Sequence, residues 1–282
     1  MTNNEIEISD ALGEPIDLYQ FSYGAGSATR LLYCDSDFEI TVGAEVYYPG
    51  YIDRDAINTS GSLDKSELEV TVAEDSHIAE WFLVYPPSEV VGLVISRCHY
   101  DDSTGEATTP QVMWSGRVLA CSREGYNAKL RCEPVATSMR RVGLRRHYQY
   151  MCPHVLYGTD CRASRVANTT GNTARAVGPR TVKVDGNVGD QYRGGMLSWT
   201  PVGKPVERRT VLNVSYDDTS NQTLLTVAGN PTTLNPGDSV ELAKGCRHTL
   251  DDCHGVFDNA VNFGGMPYIP TQNPHGTTSI YT

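Results

Sequence analysis

Positive charge is scarce in this sequence. Lys and Arg number 23 against 34 Asp and Glu, a formal net charge of −11 over 282 residues. Broad nucleic-acid binding relies on a basic footprint that displaces phosphate counterions, so the composition argues against it, and no sequence-specific nucleic-acid partner is expected. Long apolar runs are missing too. No stretch approaches the ~20 apolar residues of a spanning helix, and the expectation is a chain without a membrane span. The first ten residues are polar and acidic, without the basic and apolar regions of a secretory signal, which leads us to expect synthesis in a cytoplasm. Flavin, nicotinamide and phosphate-loop signatures are absent, and Gly194-Gly195 or Gly264-Gly265 alone is too weak to stand for one. Helical periodicity is rare.

What is present points to β structure. The chain has 26 Gly, 15 Pro and 16 Tyr, with 39% hydrophobic and 20% charged residues, a globular composition rich in turn formers. Its length suits one large or two modest domains. Residues 1–15 read as a poorly packed arm. From Asp17 onward, short alternating runs follow at hairpin spacing: 18–21, 30–33, 38–42 and, after a tight turn, the run ending at Pro49. Leu68, Val70 and Val72 fall on one face of a strand. Residues 77–84 allow one or two helical turns, stopped by Pro86 and Pro87. Residues 90–100 read as a buried strand, and 112–118 with 126–132 as a closing hairpin. Together, 15–135 form one β domain.

The arginine-rich stretch 139–150 reads first as a solvated connector, with a partner or phosphate contact as the sharper alternative. Residues 167–173 are polar and loop-like. Five short strands are then expected at 181–184, 194–199, 208–214, 223–227 and 239–242, enough for a small barrel. The expected class is mainly β, in three parts: an N-terminal β domain (1–138), a split domain (139–168 plus 243–282) and an inserted small β-barrel (169–242).

The split domain carries the chemistry. Cys152 and Cys161 have eight residues between them, and Cys246 and Cys253 have six. Disulfides are unlikely products of a reducing compartment. Four thiolates suit zinc, but neither pair has the short C-x₂₋₄-C spacing that wraps one ion. His154, His248 and His254 lie close by in sequence and leave a mixed Cys/His zinc site open. A [4Fe–4S] cube is larger than one ion and accepts wider ligand loops. Spacing alone does not choose between zinc and iron–sulfur. A cysteine nucleophile with His154, His248 and Asp251 as base and orienting candidates is a further alternative, although such chemistry needs only one cysteine. Electron transfer is another. Cys98, Cys121 and Cys132 read as small buried hydrophobes, and Cys34 as a free thiol in a turn.

The chain from Cys152-Pro153-His154 through Cys161, and above all Gly-Cys-Arg-His-Thr-Leu-Asp-Asp-Cys at 245–253 leading into Phe-Asp-Asn-Ala-Val-Asn-Phe-Gly-Gly-Met-Pro-Tyr at 257–268, resembles the phage tail-tip hub family. That family includes the hub of gene-transfer agents and, more distantly, the minor tail protein L of lambda-like phages. The resemblance implies a non-enzymatic structural protein of the virion tail tip, assembled in the host bacterial cytoplasm and serving tail assembly, host entry and DNA delivery. It implies a homotrimeric ring meeting the distal tail protein, the tape measure protein and a central spike or fibre. It also implies a [4Fe–4S] cluster on Cys152, Cys161, Cys246 and Cys253; zinc is the alternative. On the physical reading, Phe257, Phe263 and Tyr268 wrap the cluster and exclude water, with ordinary core packing as the alternative role of each. The alternative functions are a tail-associated cysteine peptidase and a zinc-stapled structural protein.

Overall fold

The computed structural model describes residues 14–24, 29–57, 67–82, 87–101, 106–140, 143, 147–202 and 204–269. The protein is mainly β and divides into two compact units, Met1–Arg141 and Val142–Thr282.

The first unit is one large sheet. Its strands are β1 (Glu14–Tyr23), β2 (Thr29–Cys34), β3 (Ile40–Val42), β4 (Glu45–Pro49), β5 (Ile52–Arg54), β6 (Leu68–Ala73), β7 (Val91–Asp101), β8 (Glu106–Ala107), β9 (Gln111–Glu124) and β10 (Asn127–Pro134). Their order is β3-β4-β2-β1-β7-β9-β10-β6-β5, with β8 paired to the far end of β7. Neighbours run antiparallel except β2 and β4. The interior strand β1 is buried on both faces, and it carries apolar side chains on each of them. Tyr19 and Phe21 join Leu93, Ile95 and Leu130 on one side, while Ile16 and Leu18 join Ile40, Tyr47 and Cys98 on the other. Asp17 is also buried. It is compensated by the guanidinium groups of Arg54 (Nε at 2.9 Å) and Arg97 (Nε at 2.8 Å).

The runs at 68–72 and 112–118 lie in strands, those at 90–100 and 126–132 do so from their second residue on, and Leu68, Val70 and Val72 share the buried face. The short helix α1 (His77–Glu80) begins at an N-cap, Ser76, whose hydroxyl accepts the Ala79 N–H. Two expectations need correction. The arm stops earlier than residue 15, because β1 begins at Glu14; residues 1–13 lie outside the described residues. Cys34 is not in a turn. It ends β2, fully buried in the second apolar cluster, where its thiol faces the carbonyls of Phe38 (3.5 Å) and Tyr47 (3.7 Å). Cys98 and Cys132 are buried as expected, whereas Cys121 is only half-buried. Residues 141–142 and 144–146 of the arginine-rich stretch lie outside the described residues.

The second unit contains a closed barrel: β11 (Thr169–Gly178), β12 (Thr181–Asp185), β13 (Met196–Trp199), β14 (Glu207–Asp217), β15 (Gln222–Val227) and β16 (Ser239–Ala243), in the ring order β11-β12-β15-β14-β13-β16. Val182, Val184, Leu197, Trp199, Val211, Leu225, Val227 and Leu242 fill it. The expected junction at 167–173 is in fact the start of the sixth strand. β11 closes the ring by pairing with β16 through Thr169–Thr173 and with β12 from Ala174 onward, with a register shift between Ala174 and Ala176. Ala174 is its one fully buried side chain, so the strand carries almost no apolar alternation to read.

Candidate metal centre

Barrel closure sets the site. Pairing of Thr169 with Ala243 puts the first and last barrel strands side by side, and Lys244 N–H then donates to Asn168 O at 3.0 Å. The chain leaving the barrel toward Cys246 therefore starts beside the chain arriving from Cys161. Gly245 is needed at this exit. A Cβ there would run into the Arg193 carbonyl, as one on Gly195 would run into that of Ala243, so the two glycines let two backbones meet.

The two cysteine segments are then tied directly. Cys152 N–H donates to His248 O (2.9 Å), and His248 Nδ1 lies 3.0 Å from Cys152 O. Tyr157 donates its hydroxyl to Lys244 O at 2.7 Å, and its ring meets Phe257 edge-on at 6.1 Å. Cys253 lies in the short helix α2 (Leu250–Gly255), where Thr249 is the N-cap and accepts the Asp252 N–H. The buried Asp252 carboxylate accepts the Arg247 backbone N–H (2.8 Å) and its guanidinium Nη2 (2.5 Å). Those bonds hold its carboxyl below the usual carboxylate range against the opposing effect of burial.

As a result, all four cysteines line one pocket of about 20 Å³, together with His154, His248, Leu156, Thr249, Phe257, Asn259 and Asn262. All four are free thiols. N–H groups face three of the sulfurs: His248 N–H to Cys246 (3.2 Å), Gly264 N–H to Cys152 (3.4 Å) and Asn259 Nδ2 to Cys161 (3.8 Å). Burial, followed by the charges of Cys152, Cys161 and Cys246, pushes the Cys253 thiol up to about 11; burial also raises Cys246. Four thiolates cannot share this pocket without a positive partner. Among the described residues, no three His, Cys, Asp or Glu side chains stand close enough together to hold a single metal ion. The thiols are arranged around a space and do not converge on a point.

Backbone strain concentrates in the same loops. Six non-glycine residues have φ in the left-handed region among those described, and four of them, Tyr157 (61°), Arg162 (58°), His248 (63°) and Asp258 (48°), lie in the cysteine segments.

The histidines serve the framework. His154 is buried, with Nδ1 3.1 Å from Asn262 O and its ring against Gly264, where a Cβ would strike it. His248 spends Nδ1 on Cys152 O, while His254 and Asp251 are exposed. The burial that raises the Cys246 and Cys253 thiols is the reverse of nucleophile activation. Phe257 lines the pocket as expected. Phe263 is half-buried beside Gly265 and outside the lining. Tyr268 is 93% exposed and does not wrap the site. Asn259, Asn262 and Asp252 escaped the sequence reading; the only signal of the two asparagines was polar spacing inside the Asp-Asn-Ala-Val-Asn run at 258–262, and that of Asp252 its place beside Cys253.

Residues 190–273, which include Cys246 and Cys253, match the family described as "Phage conserved hypothetical protein BR0599". A relative from Xylella fastidiosa (strain 9a5c), described as an uncharacterized protein, is 23% identical over 190 residues, covering 62% of this chain and 38% of the relative. The chain thus spans well under half the length of that curated relative. Among solved structures, a chain from the virion of the native gene transfer agent particle superposes with a TM-score of 0.77 at 17% identity, over 99% of this chain and 96% of that one; the two share a fold.

Proposed function

We propose that the protein is a non-enzymatic structural component of a phage-type virion, the hub of the tail tip, carrying a [4Fe–4S] cluster on Cys152, Cys161, Cys246 and Cys253. The observation that carries the cluster is the lining of one pocket by four thiols from two distant segments. The virion role is supported by the whole-chain fold likeness to a gene-transfer-agent virion chain and by the phage family match in the second unit.

The donor set fits the group. Four cysteine sulfurs are the usual ligands of a cubane, N–H donors face three of them, and the polar wall carries acceptors already engaged in the framework. Cys152, Cys161 and Cys246 are half-buried and Cys253 is buried. When bound, the cluster supplies a covalent cross-link between the segment before the barrel and the segment after it. A hub has to keep its shape while joining a tail tube and distal tail protein to a tape measure protein and a central spike or fibre. A cross-link in loops with little apolar core serves that end. Among the described residues β3 and β5 end the strand order of the first unit's sheet, and these edges are where neighbouring copies would pair in a trimeric ring.

Anaerobic purification with iron, zinc and acid-labile sulfide analysis, together with the native mass, tests this reading. The expected result is about four iron and four sulfide per chain and a mass three times the 30.9 kDa chain. Stoichiometric zinc without sulfide overturns the cluster. Absence of the protein from purified particles, probed by immunogold labelling of tails, overturns the virion role.

A further inference from the structure

Of the three N–H donors that face the cysteine sulfurs, two are main-chain groups, at His248 and Gly264. The third is a side chain, that of Asn259. Its orientation follows from its partners. Nδ2 lies 2.5 Å from the Cys161 carbonyl, which can only accept, so the NH₂ group faces Cys161 and Oδ1 faces away. Oδ1 then accepts from Asn262 Nδ2 at 2.6 Å, and the Asn262 carbonyl meets His154 Nδ1 at 3.1 Å. The amide is thereby locked. The main chain of the same residue holds the other segment: Asn259 N–H donates to Cys253 O at 2.8 Å, and its carbonyl faces the Cys253 thiol at 3.2 Å. That last contact belongs to the thiol form and is given up on ligation. One residue thus grips Cys161 from the segment before the barrel and Cys253 from the segment after it.

We infer that Asn259 is the positioning residue of the four-cysteine centre, holding Cys161 in register with Cys253 and, through its N–H directed at the Cys161 sulfur, raising the reduction potential of the cluster. The inference rests on the cluster reading above. Its physical basis is general. Reduction adds negative charge to an iron–sulfur centre and its thiolates, and an N–H dipole aimed at a ligand sulfur stabilises the more negative state. The main-chain donors are common to every side-chain variant, so Asn259 is where the chain can tune the centre by substitution.

The test compares the anaerobically purified full chain with Asn259→Ala, Asn259→Asp and Asn262→Ala. Iron and sulfide per chain are measured first, then a redox titration is followed by visible absorbance and electron paramagnetic resonance. Asn259→Ala is expected to lower the one-electron reduction equilibrium constant about tenfold, which is ~59 mV. Asn259→Asp keeps the shape, but its carboxylate cannot donate and adds charge, so its potential falls at least as far. Asn262→Ala frees the amide and produces a smaller fall. Full clusters titrating at the wild-type potential in both Asn259 variants overturn the inference and leave the cluster reading standing. Should Asn259→Ala fail to hold a cluster, the Asp variant decides, and an unchanged potential there overturns the inference. A wild-type protein without iron and sulfide overturns the reading and the inference together.

Discussion

In the barrel of the second unit, Val182, Val184, Leu197, Val211, Leu225 and Val227 are fully buried, and each strand bonds to two neighbours around a closed ring. In the loops that carry the cysteines, at 147–165 and 244–269, the buried groups include Cys253, His154 and Asp252, and regular structure amounts to the six residues of α2 with a few tight turns. The barrel gains roughly 1.5–3 kcal/mol for each large apolar side chain it removes from water. The loops have few such side chains to bury, and they hold four residues in the left-handed region. The comparison teaches that the barrel is held by its own core, whereas the loops are held mainly by hydrogen bonds between two segments, which is where the proposed cluster would add its cross-link.

Removing the bound group should separate the two most sharply. Chelation, or Cys161→Ser with Cys246→Ser, is expected to remove stabilisation on the order of 10 kcal/mol from the loops, the scale of structural metal sites. In hydrogen exchange, the amides of Cys152, Arg162, Gly264 and Met266 should lose protection, because their acceptors or donors lie within the loops. The amides of Val182, Leu225 and Leu242 should keep theirs. Loss of protection in the barrel at the same time would break the comparison.

The converse experiment weakens the barrel. Leu225 is fully exposed to other core side chains and to no solvent, so Leu225→Ala should cost about 2–5 kcal/mol through lost burial and the cavity left behind. Iron and sulfide per folded chain should stay unchanged below the new melting temperature. A variant that folds yet loses its iron would show that the loops lean on the barrel core as well as on its ends.

The same contrast decides what could be read from the sequence. Leu68, Val70 and Val72 announce a strand because alternation is the direct imprint of a half-buried sheet face. β11 gave no such imprint: Ala174 is small, Thr and Asn occupy the outer positions, and the strand exists because β12 and β16 offer it two ladders. Its ladder partners create it, and one of them, β16, is distant in sequence. At the site, thiol chemistry made the four cysteines conspicuous. The grip of Asn259 on Cys161 was invisible, since it spans the whole barrel. Tyr268 misled in the opposite direction, because an aromatic next to a motif says nothing of which way it faces. Cys34 did so as well: Asp35 and Ser36 suggested a turn, but the thiol before them closes a buried strand end.

The smallest expected effect lies at Asp252, and it asks whether the loops keep stability of their own that owes nothing to the thiols. The carboxylate is buried and accepts two kinds of donor from Arg247, the main-chain N–H and the guanidinium, which fastens the Cys246 turn to α2. Arg247 itself is 80% exposed, so water competes for its charge and the pair contributes modestly. Asp252→Asn should cost about 1–2 kcal/mol, read as faster release of iron to a chelator, with the barrel melting temperature unmoved. The pH dependence has a definite sign. The folded carboxyl is held below its ordinary value, so its contribution is fully present above the unfolded value near ~4 and is lost only as pH falls through the lower, folded one. The difference between wild type and Asp252→Asn should therefore be flat from about pH 5 to pH 8. A difference that disappears between pH 7 and pH 5 would mean that a group other than the Asp252 carboxylate does the fastening in its place.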